Sequence, residues 1–532
     1  MKKTIISLTL STALAITACG DFLEEYSQDK ITATEVSHLD ELLLGSVYLP
    51  SMEMNGPSSS YCGFLNILDD DVNTGRSDQT TGNIWDVYSA YISGKYGYFA
   101  WQLEVGKNYE SGSTAADDGS WNDLYKRINV ANVILDQITD MPHETEEDNA
   151  TYYRVQGEAH FLRAYFYLTL ANLYGPMYAP STCENTLCVP LKLTPYVETV
   201  VFPRATTKEV YDQIVSDLLQ AEEYLTISPQ KEKHRLHRAS VEAVDLLLSR
   251  VYLYMQQWDK AAQAADKVIQ SPNFSIATID QLAEGSDFLT ENNQDVIFSQ
   301  GCNMISGYCF KGFISDFCVT KELYDLYQDT DARKKNFFKF HLQENQEPVD
   351  SLGLANKYHR ENDYRAPISD VFTLRVSEAY LNKAEACAMQ TGKEAESLTA
   401  LNTLRKNRIN GYTNQTYSGE ELVKQVRDER RKELCFEGQR WFDLRRYAVN
   451  EQYPYSRTIV HVLNVPNNKG MYKISEVYQL EANDDAYTFS LPQSVLEFDQ
   501  ITINNPRSKR PAILKAVLKD TTEDTDKNEG GN

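Results

Sequence analysis

The feature that most constrains the fold of this chain is the helical spacing of its apolar residues. In residues 121–138 and again in 154–174, large apolar side chains recur at steps of three and four, which is the pattern of one face of a helix. Gly175 and Pro176 then supply a stop signal at the end of the second stretch. Two further stretches with this spacing are 207–226 and 240–256. We therefore predict a mostly α-helical protein.

Two segments read as helical hairpins of nearly the length of a tetratricopeptide repeat. One runs from Ser240 to Ser271 with a turn at Gln256-Gln257, and the other runs from Leu374 to Arg408 with a turn at Thr391-Gly392. Small and apolar residues occupy the steps at which two helices would pack closely. The hairpins are not in tandem, so two unrelated helix pairs in an α-rich protein remain the alternative on pattern alone.

The helical segments alternate with long stretches of weak periodicity that are rich in Gly, Ser, Asn, Asp and aromatic residues. Loops of this length in a compact protein usually carry function. We predict one domain over 31–515, followed by a disordered acidic tail over 516–532. The predicted helical scaffold comprises 31–50, 120–275 and 370–447, and the predicted loop-rich inserts are 51–119, 276–369 and 448–515.

The N-terminus has the form of an export signal. Lys2 and Lys3 precede an apolar core, and Ile16-Thr17-Ala18 lies directly before Cys19. An apolar residue and two small residues before a cysteine are also typical of a bacterial lipoprotein, whose cysteine becomes the lipidated N-terminus. We predict a signal peptide over 1–18, lipidation at Cys19 and a tether over 19–30. An ordinary signal peptide with a chance cysteine is the alternative.

Charge and motifs exclude several classes of function. The net charge of -24 disfavours nucleic acid as a partner, and no later stretch has the length and apolarity of a transmembrane helix. Metalloprotease, serine-hydrolase, P-loop and Rossmann motifs are absent. We predict no enzyme activity, no cofactor and no metal. Asp69-x-Asp71-x-Asn73 begins like a calcium loop, but Thr74 replaces the required glycine, which rejects an EF-hand and leaves an irregular surface calcium site open.

The cysteines leave the redox state open. No two of them form a C-x-x-C pair, which argues against structural zinc and thioredoxin chemistry. Export permits disulfides, and two groups lie close enough in sequence to form them. These groups are Cys183 with Cys188, and Cys302 with Cys309 and Cys318. Cys387 and Cys435 fall within helical patterns and are predicted to be small core residues.

Three motifs together resemble the RagB/SusD family of outer-membrane nutrient-binding lipoproteins. The first combines Trp121-x3-Tyr125-x2-Ile128-x2-Ala131-Asn132 with Glu158-Ala159-x-Phe161-Leu162-Arg163-Ala164 and Leu173-Tyr174-Gly175. The second is Arg375-x2-Glu378-x-Tyr380-Leu381-x2-Ala384-Glu385-Ala386. The third is Glu429-Arg430-Arg431-x-Glu433-Leu434-x-Phe436-Glu437-Gly438-x-Arg440-Trp441-x-Asp443-Leu444-x-Arg446. The chain departs from the family at Pro176-Met177 and at Asn504-Asn505-Pro506.

The resemblance implies a fold and a role. The fold is a right-handed scaffold of about four tetratricopeptide-like helical pairs with loop-rich inserts that carry the ligand site. The role is to bind oligo- or polysaccharide at the cell surface, on a lipid-anchored protein of the outer membrane. The implied partner is a SusC-like TonB-dependent transporter, which receives the glycan. Three alternatives stay open: capture of peptides or another nutrient by the same fold, a surface glycosidase, and a helical scaffold that binds only proteins.

The charged block 427–446 is predicted to be structural. Its acidic and basic residues alternate with large apolar residues, so arginines and carboxylates can pair where helices meet. Gly438 is expected to end one helix, with the next beginning at Gln439. The block therefore marks the fold and not the ligand site.

The aromatic residues of two inserts are the candidates for glycan contact. Sugar rings stack on aromatic planes, and their hydroxyls need short polar partners. The stretch 85–109 combines many aromatic residues with glycines, and the stretch 298–317 could form an opposing wall. The alternative is that these aromatic residues cover one end of the core. The candidate glycan-binding residues are Asp70, Arg76, Trp85, Tyr88, Trp101, Tyr308 and Phe317.

Overall fold

The structure is a computed structural model, and it confirms a mostly helical fold. The described residues are 33–50, 62–74, 90–114, 119–196, 201–228, 236–303, 305, 317–339, 354–358, 367–466, 472–498 and 503–517. The longer helices are α1 Val36–Leu42, α2 Ala90–Phe99, α3 Gly119–Gln137, α4 Glu146–Tyr174, α5 Thr207–Ile227, α6 Val241–Tyr254 and α7 Trp258–Gln270, then α8 Lys321–Asp325, α9 Ala332–Asn336, α10 Val376–Ala388, α11 Glu394–Lys406, α12 Gly419–Leu434, α13 Arg440–Ala448 and α14 Gln493–Phe498.

Consecutive helices pack side by side into a scaffold. Helix α4 packs against α3 and α5, and α6 packs against α5 and α7. The row continues across a long gap in sequence, because α10 packs against α7 and then against α11 and α12. Both predicted hairpins are confirmed as α6–α7 and α10–α11. They form one tetratricopeptide-like scaffold although they are far apart in sequence.

Local signals explain where the scaffold helices begin and end. Thr145 caps α4 by accepting a hydrogen bond from the Asp148 N–H at 3.0 Å, and α4 ends at the predicted Gly175. Thr206 and Glu209 form a capping box at the start of α5. Close packing fixes one interior glycine, because a Cβ on Gly157 would lie 2.6 Å from the Leu225 Cγ. Helices α4 and α5 therefore approach each other closely.

Short antiparallel sheets occur within the inserts and the scaffold and also link them. The strands are β1 Val72–Thr74, β2 Leu187–Pro190, β3 Arg204–Thr206, β4 Val296–Gln300, β5 Phe317–Val319, β6 Phe338–Lys339, β7 Leu354–Ala355, β8 Phe372–Arg375, β9 Ile459–Pro466, β10 Tyr472–Leu480 and β11 Leu514–Val517. Four sheets are strand pairs, namely β1–β5, β2–β3, β4–β8 and β6–β7. The fifth has the strand order β11–β10–β9. Two of these sheets, β1–β5 and β4–β8, pair strands that are distant in sequence.

The described part of the first insert is more helical and more buried than its composition suggests. Residues 90–99 form helix α2. Its last residue, Phe99, is fully buried, and so are Ala100 and Trp101, which follow it. The glycine-interrupted stretch was expected to be a surface loop, and over these residues that expectation is wrong. The same apolar core encloses α2, the scaffold helices and β9.

The described cysteines lie in the interior. Cys183 and Cys188 are buried free thiols, Cys302 and Cys318 are also buried, and Cys309 lies outside the described residues. Cys387 and Cys435 are buried, as predicted for core residues. No helix within the described ranges is both long and apolar enough to cross a bilayer.

Candidate functional site

The β1–β5 strand pair is the point where the two candidate glycan segments join the described structure. The strands are antiparallel, and Thr74 is the register partner of Phe317. The chain leaves β1 at Thr74 toward Arg76, Trp85 and Tyr88, and it enters β5 at Phe317 after Tyr308. The two segments, 75–89 and 306–316, therefore attach at neighbouring positions of one sheet. These two segments, and with them the four candidates Arg76, Trp85, Tyr88 and Tyr308, lie outside the described residues.

The core beneath this strand pair contains a histidine stacked between aromatic rings. The His461 ring of β9 lies 4.2 Å from the Trp101 ring and 4.3 Å from the Phe99 ring, measured between centroids. Its Nδ1 lies 2.7 Å from the Phe99 carbonyl oxygen, and its Nε2 lies 2.7 Å from the Asp69 carbonyl oxygen. Burial lowers the pKa of His461 to about 4, although both carbonyls favour the charged ring.

Trp101 and Phe317 belong to this core, which corrects their proposed role. Neither side chain has any exposed surface. The Trp101 indole N–H donates to the Leu68 carbonyl at 2.9 Å, and the Phe317 ring packs 5.4 Å from Phe99. Both rings are enclosed because partners from distant parts of the chain cover them. They support the β1–β5 pair and have no face available to a sugar.

Asp70 is also a structural residue. Arg440 donates to both carboxylate oxygens at 2.7 and 2.8 Å, and Arg457 donates to Oδ2 at 2.8 Å. A third guanidinium, that of Arg431, lies 3.2 Å from the same oxygen. Burial alone would raise the pKa of Asp70, but Arg440 and Arg431 outweigh it and hold the pKa well below its usual value. The carboxylate is buried and fully engaged, so it is not a free acceptor for sugar hydroxyls.

The neighbouring carboxylates do not form an open cation site. Asp69, Asp70 and Asp71 place oxygens within 4.8 Å of one another, which is the only such group in the described part of the chain. Asp70 already binds arginines, and Arg431 donates to the Asp71 Oδ1 at 2.7 Å. Burial, followed by the charges of Asp71 and Asp70, raises the pKa of Asp69 well above its usual value. Arginines rather than a metal ion balance this charge.

The block 427–446 forms the buried ion network that its sequence predicted. Glu433 is fully buried and accepts hydrogen bonds from Arg375, Arg408 and Arg333 at 2.9 to 3.1 Å. Burial opposes its charge, but Arg408 and Arg375 lower its pKa well below the usual value. Arg375 also donates to both oxygens of Glu437, at 2.9 and 2.7 Å. The block therefore joins α12 to α9, to β8 and, through Arg408, to the turn after α11, and we call it the scaffold ion network.

The turn after α12 differs in detail from the expectation. The helix ends at Leu434, and Phe436 as well as Gly438 adopts positive φ, at 63° and 68°. Gly438 thus lies in the connection and does not directly cap α12. Its N–H donates to the Asn66 Oδ1 at 2.8 Å, and α13 begins at Arg440 with Gln439 before it.

The residues that support the candidate site but that the sequence did not reveal are His461, Arg457 and Glu322. Glu322 receives Arg431 at 2.7 Å and a second hydrogen bond, also at 2.7 Å, from the Arg457 Nη2. All three lie in or beside inserts without local periodicity. Their partners are hundreds of residues away, so no short motif identifies them.

Two family models match this chain. The model for SusD-like proteins described as "Starch-binding associating with outer membrane" matches residues 64–253, and the SusD family model matches residues 353–506. The first match contains β1, α2, Trp101 and the helices from α3 to nearly the end of α6, and the second contains α10 to α14. The family consists of carbohydrate-binding proteins that associate with the outer membrane.

A curated relative and two solved structures are similar to this chain in sequence and in fold, respectively. SusD-like protein P38 of Formosa agariphila is 25% identical over 383 residues, which are 61% of this chain and 71% of that protein. A SusD superfamily protein from Bacteroides thetaiotaomicron has a TM-score of 0.65 at 20% identity and covers 89% of this chain and 98% of its own. A laminarin-binding SusD-like protein has a TM-score of 0.61 at 20% identity and covers 90% and 100%. On the two family models and these relatives together, the chain belongs to the RagB/SusD family.

Proposed function

We propose that this protein binds oligo- or polysaccharide at the cell surface and delivers it to a TonB-dependent outer-membrane transporter. It acts as a binding protein and not as a glycosidase. The contacts to sugar are made by Trp85, Tyr88 and Tyr308, with Arg76 as a polar partner. Cys19 carries the lipid that anchors the protein to the outer membrane.

The observation that carries this proposal is the register of Thr74 with Phe317 in the β1–β5 pair. It joins the aromatic segment 75–89 to the aromatic segment 306–316 at one place, as two sides of a single site require. The strand pair rests on a rigid base, because His461, Trp101 and two of the arginines that bind Asp70, Arg431 and Arg440, are buried. A site carried by a rigid base binds with less loss of conformational entropy. Starch, named in the description of the matching family model, and laminarin, bound by one protein of similar structure, are glucose polymers and are the first glycans to test.

The test is binding to a panel of polysaccharides by affinity electrophoresis and isothermal titration calorimetry. We expect saturable binding of at least one neutral glycan, and no release of reducing sugar on long incubation. Release of reducing sugar would establish a glycosidase instead. Saturable binding of peptides with no glycan bound would favour the alternative nutrient.

The sharpest variant is Trp85→Ala. Loss of a central aromatic anchor costs about 2 kcal/mol or more, so the affinity for glycan should fall by roughly thirtyfold. Tyr196→Ala is the matched control. Tyr196 is exposed, and its hydroxyl donates to Asp136 of α3 rather than to a residue of β1–β5. Equal binding by both variants would remove Trp85 from the site. Unfolding of Trp85→Ala would place the residue in the core.

Cys19→Ala tests the anchor. Without the lipid the protein should be recovered in the soluble fraction, because we propose the lipid as its membrane anchor and no described helix is long and apolar enough to cross a bilayer. The strain used must lack the transporter, which could otherwise retain the protein. Retention of Cys19→Ala in the membrane of that strain would reject the lipoprotein assignment.

A further inference from the structure

A cleft of about 190 Å³ opens between the end of α4, helix α13 and the turn before Thr488. Its floor is apolar and is formed by Met177, Leu444 and Val449, and the Tyr487 ring forms one wall. The opposite face of that ring stacks on Trp441, with centroids 4.7 Å apart and planes 25° apart. Because Trp441 is fully buried, the tyrosine ring is held in place from behind.

The rim of the cleft presents polar groups that are not used within the protein. Ser456 and Asn483 are exposed, and neither side chain has a hydrogen-bond partner among the described residues. Within the same residues, no acceptor or donor meets the Tyr487 hydroxyl. A sugar ring has apolar C–H faces and polar hydroxyls around its edge. An apolar floor would contact such a face, and the surrounding hydroxyl, amide and phenol groups would contact the hydroxyls.

The wall of the cleft also contains a buried cation without a counter-ion. Arg445 is 5% exposed, and its donors reach only the Asn172 and Gly175 carbonyls and the Thr488 hydroxyl. No carboxylate of the described residues forms an ion pair with it, and its Nε–H has no acceptor there. Burial lowers the pKa of Arg445 to about 10. A lowered pKa is expected for a buried arginine that has no carboxylate to balance its charge.

The other charged side chains of the wall do not supply the missing anion. Asp484 is paired with Arg510, whose Nη1 donates to it at 2.9 Å. Arg457 directs its Nη1 and Nη2 to Asp70 and Glu322, so its charge is already balanced. Of the charged residues that line the cleft, Arg445 is therefore the one without an oppositely charged partner among the described residues. A small anion is the ligand that this unbalanced guanidinium favours.

We propose that the cleft binds one carboxylate-bearing sugar ring, of the hexuronic acid class. The carboxylate lies toward Arg445, a face of the ring packs on Tyr487, and the hydroxyls meet Ser456 and Asn483. A cleft of this volume is smaller than the 300–1,000 Å³ of pockets for drug-sized ligands, so it accommodates about one ring. None of the residues that line the cleft is a candidate for the glycan contacts proposed above, and the inference does not depend on that proposed function.

The test is calorimetric titration of the full-length lipoprotein in detergent with D-glucuronate and with D-glucose. A hydrogen bond to a charged group contributes about 1.5–3 kcal/mol, so glucuronate should bind about tenfold tighter than glucose or more. Equal affinity for the two sugars, or no saturable binding of glucuronate, would overturn the proposal.

Two variants locate the binding without removing a structural contact. Ala448→Phe fills the cleft from the end of α13, and Ser456→Phe covers it from the exposed rim. Each should weaken glucuronate binding by roughly tenfold or more, with an unchanged melting temperature for Ser456→Phe. Tyr196→Ala, at an exposed residue that does not line the cleft, should bind glucuronate like the parent. Parent-like binding by both filled variants would overturn the proposal, as would loss of glucuronate binding in Tyr196→Ala.

The sugar acid could be a free monosaccharide or the end residue of an acidic glycan. A tetrasaccharide with glucuronate at its non-reducing end separates these sources. Tighter binding of the tetrasaccharide would support an end residue, and tighter binding of free glucuronate would support the monosaccharide. Binding of neither overturns the proposal.

Discussion

Buried arginines occur in two different environments in this molecule. Arg375 in the scaffold ion network meets the carboxylates of Asp295, Glu433 and Glu437. Arg445 and Arg507 at the C-terminal side meet only main-chain carbonyls and one hydroxyl. Burial opposes the charge in both places. Glu437 and Asp295 overcome it and raise the pKa of Arg375, whereas burial lowers the pKa of Arg445 and of Arg507 to about 10.

The two environments suit buried arginines to different roles, one in folding and one in ligand binding. Where carboxylates surround the arginine, the charge is neutralised internally, and its directional hydrogen bonds fix how helices meet. Where only carbonyls surround it, the protein keeps a positive charge that a ligand can still neutralise. The same residue type therefore stabilises the scaffold in one place and prepares a binding cleft in the other.

The largest effect is expected in the scaffold ion network. Glu433→Ala leaves Arg333, Arg375 and Arg408 without their shared carboxylate, and breaking a buried pair costs about 3–5 kcal/mol. The free energy of unfolding, from urea titration, should fall by at least that amount. Glu420→Ala is the control, because Glu420 is exposed on the same helix and its removal should change stability by less than about 0.5 kcal/mol. Similar stability of the two variants would contradict the assignment of the network to the fold.

A smaller effect is expected at His461, a second buried group whose ring nitrogens face only carbonyls. Its folded pKa of about 4 lies below the usual 6.5, so the unfolded chain takes up the proton first as the pH falls. The contribution of the neutral His461 to the free energy of unfolding is therefore fully present above about pH 6.5. It falls by about 3 kcal/mol as the pH is lowered toward 4. His461→Gln should lose this decline between pH 6.5 and 4.5. An equal slope in parent and variant would show that His461 does not titrate there.

The smallest effect is expected for Arg445→Met, which removes an unbalanced charge together with its hydrogen bonds. These two changes oppose each other, so the free energy of unfolding should change by about 1 kcal/mol or less. Arg375→Met is the matched variant and should cost at least about 3 kcal/mol, because it leaves three carboxylates in the core. If both variants are equally destabilised in urea, the two environments do not differ as described.

The sequence predicted the scaffold better than the inserts, for a physical reason. Helical periodicity and caps are local, so the hairpins α6–α7 and α10–α11 and the end of α4 at Gly175 could be located from neighbouring residues. The ion network was also predictable, since its charges alternate with large apolar residues over one short block. The stacking of α10 on α7 was not, because the contact joins segments separated by an insert.

The candidate site was predicted less well. The local sequence around an aromatic residue near glycines is the same whether the ring lies in a surface binding platform or in the core. Contacts with residues distant in sequence determine which of the two it is. Trp101 is buried by His461 of β9, and Asp70 is buried by Arg440 of α13. Arg445 lies within a block whose other arginines pair with carboxylates, so its separate environment had no sequence signal. These outcomes depend on long-range contacts that local composition does not encode.

The register of Thr74 with Phe317 has a consequence for how such proteins diversify. Because the segments 75–89 and 306–316 each attach to a fixed strand end, their lengths can vary without moving the scaffold, and each doubling of a loop's length costs only about 0.6 kcal/mol in closure entropy. Insertions and deletions in 75–89 and 306–316 should therefore be tolerated far better than changes of one residue within β1 or β5, which would shift the pairing. If the function proposed above holds, exchange of these two segments as a matched set should change the glycan that is bound and leave the fold unaltered.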